Sequence, residues 1–296
     1  MSFQKIFVLG AGAIGSSIGA LLSANNDVTL IGNKAHIKAI NSHGLIIEEE
    51  TPREFRVKAE TAIKEIQSGS LILLTTKAHD AVPAIRSIKR LLKSDTVVLV
   101  LQNGLEIREM VQKIVRAKGE FVRGLVLMAA EFLEPGKIKF WNGQTIIEAT
   151  ATGKKIASLF NESGLRTKFS DDIRREEWGK VVINCVINPL TTILKVRNNE
   201  IITDSLEGIR RKIVEECIDV AKAEGVILES QLEKKLEHKI LSYTNYSSMC
   251  QDKMRRKKTE IDFLNGAIVK LGKKHGIQTP VNETLVGLIK FSEATK

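Results

Sequence analysis

An α/β amino-terminal half followed by an all-α carboxy-terminal half is the fold the sequence predicts, and three observations carry it. Short apolar runs of strand length recur through the first part of the chain, separated by stretches of helical period. The first run leads directly into a cluster of glycines, Gly10, Gly12 and Gly15. From residue 173 onward nearly every segment carries the 3.6-residue period of a helix. The boundary is expected near Asp171-Asp172, giving one domain over 1–170 and a second over 171–296. No repeat, low-complexity tract or long linker intervenes, so the two are expected to pack closely.

Residues 5–9 read as a buried strand, short and apolar. They run into Gly10-Ala11-Gly12-Ala13-Ile14-Gly15, with a helical pattern through Leu22 and a second strand over 27–31. This strand, glycine turn, helix, strand order is the setting that a dinucleotide fingerprint requires, so the first domain is expected to be Rossmann-like. Gly10 permits the tight turn, Gly12 lets a pyrophosphate approach backbone N–H groups, and Gly15 lets the helix lie close on the strand. Anion binding at the helix start follows from its unpaired N–H groups and its dipole. The uncharged run over 6–22 also superficially resembles a signal peptide or a short membrane span, with Gly15 and Gly19 at a small-xxx-small spacing. The mid-run glycines and Ser16-Ser17 are better explained by the nucleotide turn, and no membrane insertion is expected.

The second strand ends Ile31-Gly32-Asn33-Lys34, with no carboxylate until Glu48. An acidic residue there would bind the ribose 2′-hydroxyl of NAD. Lys34 could instead meet a 2′-phosphate, with Asn33 donating a hydrogen bond, which favours NADP(H) and leaves NAD(H) open. Alternatively Lys34 merely begins a helix over 35–42 that Gly44 caps. Residues 45–47 and 55–57 flank Thr51-Pro52-Arg53 as a hairpin. The runs over 70–76 and 96–101 read as buried parallel strands ending at Lys77-Ala78-His79-Asp80 and Gln102-Asn103-Gly104. Ligands of open α/β sheets collect beyond the carboxyl ends of the strands, which places Lys77 and Asn103 in that region. His79 reads as a surface residue and Asp80 as a helix N-cap. Strands over 121–128, 137–140 and 145–148, a helix over 154–163 and a strand over 165–169 complete the domain.

The second half reads as helices over the segment opening at 173 and over 206–223, 231–241, 259–274 and 282–291. In the first of these, the stretch 178–192 sets Lys180, Asn184 and Asn188 into an apolar run of Val181, Val182, Ile183, Val186, Ile187 and Leu190. Residues four apart on a helix share a side, drifting by roughly 40° per step, so the three form one polar stripe. Burying an ammonium is costly, and such a stripe needs a reason. The bland alternative is a lysine snorkelling to solvent beside two hydrogen-bonded core amides. Pro189 lies inside this helix and is expected to kink it, splaying Asn188 toward a cleft.

Hydrophobic content of 43% and charged content of 27% are those of an ordinary globular protein. The formal charge of +10 implies affinity for anions, but aromatics are only 5% and no basic–aromatic stacking pattern appears, so nucleic acid is not the expected partner. The basic run over 253–258 reads as a solvated face. Cys185, Cys217 and Cys250 are odd in number and widely spaced, which reads as reduced core residues in the cytoplasm, with neither a disulfide frame nor a metal site.

Taken together, these residues resemble the ketopantoate reductase (2-dehydropantoate 2-reductase) family from end to end. The resemblance rests on the Gly10–Gly15 turn, Gln102-Asn103-Gly104, Lys180/Asn184/Asn188-Pro189-Leu190-Thr191, Ser247-Ser248-Met249-Cys250-Gln251-Asp252 and Thr259-Glu260-Ile261-Asp262-Phe263-Leu264-Asn265-Gly266. It implies reduction of 2-dehydropantoate to pantoate by NADPH, on the way to pantothenate and coenzyme A. It implies that Lys180 is the general acid and Glu260 its assistant, and that Asn103, Asn184, Asn188, Asn198 and Ser248 contact the substrate or line its site. Lys77 resembles the family's lysine near the cofactor. Many members carry an arginine where this chain has Asn33, and Asn198-Asn199 stands where Asn-Gly is more usual. The residue types suit the chemistry: hydride delivered to a ketone carbon leaves charge on oxygen, which a partly desolvated lysine can neutralise and protonate. Glu260 could instead be a helix-terminal carboxylate, and Ser248 a helix cap. Three other functions stay open: a reductase of another 2-keto or 3-hydroxy acid, a non-enzymatic NADP-binding sensor and, least expected, a basic nucleic-acid binder. A small 2-keto acid is the expected partner, and a homodimer is compatible with the reading.

Overall fold

The structure, a computed structural model, describes residues 3–49, 51–116, 118–229 and 232–295. The chain divides into two compact units, one of residues 1–102 and 106–173 and the other of residues 103–105 and 174–296.

The first unit is a ten-stranded sheet with helices. In chain order its elements are β1 (Ile6–Leu9), α1 (Ala13–Leu22), β2 (Val28–Ile31), α2 (Lys34–His43), β3 (Leu45–Glu48), β4 (Arg53–Phe55), β5 (Lys58–Glu60), β6 (Leu71–Leu74), α3 (Ala78–Ile88), β7 (Val97–Val100), α4 (Ile107–Val115), β8 (Glu120–Glu134), β9 (Lys137–Glu148), α5 (Ala151–Glu162) and β10 (Thr167–Ser170). The strands run β4-β3-β9-β8-β7-β6-β1-β2-β5, with β10 paired to β9. From β5 to β8 all neighbours are parallel. Numbered among themselves they follow the order 3-2-1-4-5-6 of a dinucleotide-binding sheet, whose direction of winding reverses between β1 and β6. Strands β1, β2, β6 and β7 are buried throughout, which is why β1, β6 and β7 read as unbroken apolar runs and β2 departs from one only at Thr29.

Three expectations change here. The runs over 137–140 and 145–148 are parts of one strand, β9. It forms an antiparallel hairpin with β8 through Pro135-Gly136, where Gly136 takes φ +84°. β8 itself continues to Glu134, past the predicted end at 128. The tiny strand β5, whose two outward residues are charged, gave no apolar run to read, yet it completes the parallel order. The uncharged run over 6–22 is β1, the turn and the ten-residue α1; no described helix is long and apolar enough to cross a membrane.

Among the polar residues fully enclosed in this unit is one imidazole, that of His36. His36 of α2 accepts the N–H of Gly136 on Nδ1 at 2.9 Å, and its Nε2 lies 3.0 Å from Ser16 Oγ on α1. The ring also packs on Phe132, with centroids 4.8 Å apart. Because Nδ1 accepts, the neutral ring carries its proton on Nε2 and donates to Ser16. A second proton would set N–H against N–H.

The second unit is helical: α6 (Ile173–Leu194), α7 (Asp204–Ala223), α8 (Leu232–Leu241), α9 (Ser248–Met254), α10 (Asn265–His275) and α11 (Pro280–Ala294), with 3₁₀ turns at Asn198–Ile201 and Ile261–Phe263. Gln231, the expected first residue of α8, lies outside the described residues. The helix expected over 259–274 is two pieces, because Leu264 leaves helical geometry at φ −110°, ψ −104° before α10 begins. The core gathers Trp178, Val181, Val182, Cys185, Val186 and Leu190 of α6 against Ile213, Cys217 and Val220 of α7 and Ile268 and Leu271 of α10. Cys185, Cys217 and Cys250 are free and buried.

Burial pulls the His36 pKa from 6.5 down to about 4. The unfolded chain therefore binds the proton first, and folding stability present above pH 6.5 is lost progressively as pH falls toward 4. We expect a loss on the order of 2–3 kcal/mol over that window. Urea midpoints measured from pH 7.5 to 4 should fall more steeply for the parent chain than for His36→Gln.

Candidate active site

The loops after β1 and β6 meet where the winding reverses. Gly10, at φ +117°, lies so close to β6's end that a Cβ would sit 2.4 Å from the Thr76 nitrogen. A Cβ on Gly15 would lie 2.4 Å from the Gly10 carbonyl oxygen. Thr75 Oγ1 donates to that same carbonyl at 2.9 Å, and Gln102 Nε2 donates to Thr76 Oγ1 at 3.2 Å. Gly12 is different. It is exposed, and a Cβ there would meet only the Gly10 oxygen at 4.0 Å. Packing thus requires glycine at 10 and 15, whereas position 12 leaves a bare approach to the start of α1. There the N–H groups of Ala13, Ile14 and Gly15 have no carbonyl one turn earlier to pair with. Ala11 is buried beneath the turn, and its N–H is spent on the Ile31 carbonyl. The cradle fits a phosphate group.

At the end of β2, Asn33 and Lys34 are both exposed. Asn33 caps α2, its Oδ1 accepting the His36 N–H at 2.9 Å, so only its Nδ2 remains to donate to a ligand. Lys34 is the first residue of α2, and Gly44 does end that helix, its N–H returning to the Ile40 carbonyl. At the end of β6, Lys77 is half-buried and is the N-cap residue of α3. The expected cap, Asp80, is a first-turn acid instead, its N–H donating to the Lys77 carbonyl. His79 is only partly on the surface: its side chain is one-fifth exposed, its Nδ1 is buried, and Nε2 lies 3.4 Å from Asp80.

In the second unit, Lys180, Asn184 and Asn188 fall on successive turns of α6. The Lys180 Nζ is buried and the residue is engaged within the protein, so it does not snorkel. Asn188 is 4% exposed and Asn184 half-buried, and no hydrogen bond among the described residues engages either carboxamide. Pro189 does not interrupt the helix, which runs on to Leu194. Glu260, 5% exposed, precedes a three-residue 3₁₀ turn, and Asn103 Nδ2 approaches its Oε2 at 3.4 Å. Asn103 is held there by Gly104, which at φ +108° leaves no room for a Cβ against Phe263, and by the Leu105 N–H, which donates to the Phe263 carbonyl. Asn198 is buried in its 3₁₀ turn, and its Oδ1 has no partner among the described residues.

Ser248 does not cap α9. The cap is Ser247, whose Oγ accepts the Cys250 N–H at 3.1 Å and the Thr191 hydroxyl at 2.7 Å. Ser248 is left exposed, and among the described residues its hydroxyl makes no hydrogen bond. The Thr191–Ser247 tie from α6 to α9 was not foreseen, and only the paired serines hinted at it.

A dinucleotide-type sheet with an open phosphate cradle, joined to a helical unit that keeps an amine and several amides dry, defines an oxidoreductase by class. The chain belongs to the ketopantoate reductase family. The family model described as "Ketopantoate reductase PanE/ApbA" matches residues 6–152, and "Ketopantoate reductase PanE/ApbA C terminal" matches residues 172–293. The 2-dehydropantoate 2-reductase of Pyrococcus horikoshii is 38% identical, with 98% of each chain covered. A crystal structure of a PanE/ApbA family ketopantoate reductase from Ralstonia eutropha JMP134 superposes with a TM-score of 0.92 at 32% identity, covering 98% of both chains. A ternary structure of D-mandelate dehydrogenase with NADH and anilino(oxo)acetate gives a TM-score of 0.91 at 32% identity, covering 98% of this chain and 99% of that one.

Gly10→Ala should destabilise the fold by about 2–4 kcal/mol, since backbone has to move. Gly12→Ala should stay within about 1 kcal/mol of the parent. Thermal unfolding of the two variants side by side checks the contrast.

Proposed function

We propose that this chain reduces 2-dehydropantoate to pantoate with NADPH, with residues 1–170 binding the dinucleotide and residues 171–296 supplying the substrate and catalytic groups. The observation that carries the reading is the dry amine of Lys180 in line with two unengaged carboxamides on α6, in a chain of this family. NADPH, when bound, supplies the hydride. The cradle of residues 10–15, which Gly12 leaves open, receives its pyrophosphate, and Lys77 and Asn103 stand at the carboxyl ends of β6 and β7 where it extends. Lys34 meets the 2′-phosphate with its charge, and Asn33 Nδ2 adds a donor.

Lys180 gives its proton to the carbonyl oxygen as negative charge develops there, in a setting where water does not compete. Glu260, next to Asn103, orients that amine or the substrate hydroxyl. Asn184, Asn188 and Asn198 hydrogen-bond the substrate without adding charge beside the lysine. The free hydroxyl of Ser248 and the nearby N–H groups at the start of α9 meet its carboxylate. A homodimer in the cytoplasm belongs to the same proposal, and size-exclusion chromatography tests the dimer.

The likeness to D-mandelate dehydrogenase favours a second reading, in which the same cofactor and lysine serve a different 2-keto acid. Cofactor consumption measured with 2-dehydropantoate beside straight, branched and aromatic 2-keto acids separates the two, the highest kcat/KM naming the substrate. Binding of NADPH without turnover of any of them would mark a sensor.

Lys180→Ala should lower kcat by about 100-fold or more while NADPH affinity stays within about threefold; near-normal turnover removes the acid assignment. The kcat/KM for NADPH should exceed that for NADH, and Lys34→Ala should narrow the ratio through NADPH alone.

A further inference from the structure

Pro189 removes one amide hydrogen from the middle of α6, and the carbonyl that hydrogen would have served is that of Cys185, four residues earlier. Cys185 is fully buried, so no water can replace the missing donor. Asn265, the first residue of α10 and itself fully buried, meets the carbonyl instead. Its Nδ2 donates to the Cys185 oxygen at 3.0 Å and to Asn282 Oδ1 at 2.9 Å.

The direction of these amides is set from further away. Glu216 of α7, a carboxylate with acceptors only, takes the N–H groups of Val281 and Asn282 at the start of α11, at 2.8 and 2.9 Å. It also takes Asn282 Nδ2 at 2.7 Å. Asn282 must therefore turn its oxygen toward Asn265, and Asn265, facing an acceptor on both sides, must present its nitrogen to both. A chain of fixed polarity thus runs from α7 through α11 and α10 to α6, ending between Asn184 and Asn188.

We propose that Asn265 is a positioning residue for the reaction: it stands in for the donor that Pro189 lacks and so holds the two halves of α6 in the arrangement that aligns Lys180 and Asn184 with Asn188. This rests on the reductase reading above. Were Asn265 merely a core amide, its removal would cost stability in the same measure whatever residue occupied position 189.

The test is a double-mutant cycle. Pro189→Ala restores the N–H, which can pair with the Cys185 carbonyl inside the helix. With proline present, Asn265→Ala should raise the keto-acid KM about tenfold, a typical coupling between touching groups, with the NADPH KM unchanged within about twofold. In the Pro189→Ala background the same substitution should change the keto-acid KM less than about threefold, and the unfolding temperature lost to Asn265→Ala should recover. Glu216→Gln, alike in shape but with a donor facing Asn282, should copy the KM effect and be relieved in the same way. Should Asn265→Ala fail to fold, folding of the double variant supports the proposal and its failure overturns it. Equal effects of Asn265→Ala in both backgrounds, or equal movement of both KM values, also overturn it. Absence of turnover in the parent chain would be a failure of the reductase reading; the thermal cycle then decides, with recovery by Pro189→Ala in support and no recovery against.

Discussion

The second unit depends on one constraint: a helix that must stay buried also has to carry polar groups and a proline. α6 can be buried between Trp178 and Leu190 because its apolar residues there pack into the core. The polar stripe and the broken hydrogen-bond ladder then create demands that the neighbouring helices meet. Asn265 answers the orphaned carbonyl, and the one hydrogen of the Thr191 hydroxyl is shared between the Ile187 carbonyl and the Ser247 oxygen that caps α9. The carboxamides of Asn184 and Asn188 keep no hydrogen bond among the described residues, and it is these that the proposed function gives to the substrate.

In the first unit the corresponding constraint is closeness. Two glycines are required because α1 and the loop after β6 crowd the turn, and the third is required by nothing in the protein. A glycine that packing does not demand, at the mouth of a helix, leaves open the approach that the proposed dinucleotide would take. The buried His36 ties the same helix to the next one and to the β8–β9 turn, so the glycine turn is backed by hydrogen-bonded elements.

Much of this was legible in the sequence because its signals are local. The apolar strands, the glycine spacing and the i, i+4 stripe each declare themselves within a dozen residues, and the structure has a strand, a turn and a helix at those places. What was not legible depends on partners distant in the chain. β5 exists because β2 offers an edge, not because Lys58–Glu60 is a strand-like sequence. Ser247 rather than Ser248 caps α9, and two adjacent serines cannot be told apart without knowing where Thr191 lies. The helix expected over 259–274 kept its period through Leu264 while its backbone did not. Asn265 lies in the Thr259–Gly266 stretch, and no spacing rule links it to a carbonyl eighty residues away.

The cysteines have a practical consequence. Cys185, Cys217 and Cys250 all belong to the helical unit and all are buried, and burial together with the neighbouring Cys217 pushes the Cys185 thiol up, away from its reactive thiolate. The sheet unit holds none. Alkylating reagents can therefore reach sulfur only when the helices part, and the chain carries its own clock for the opening of one half, silent to events in the other.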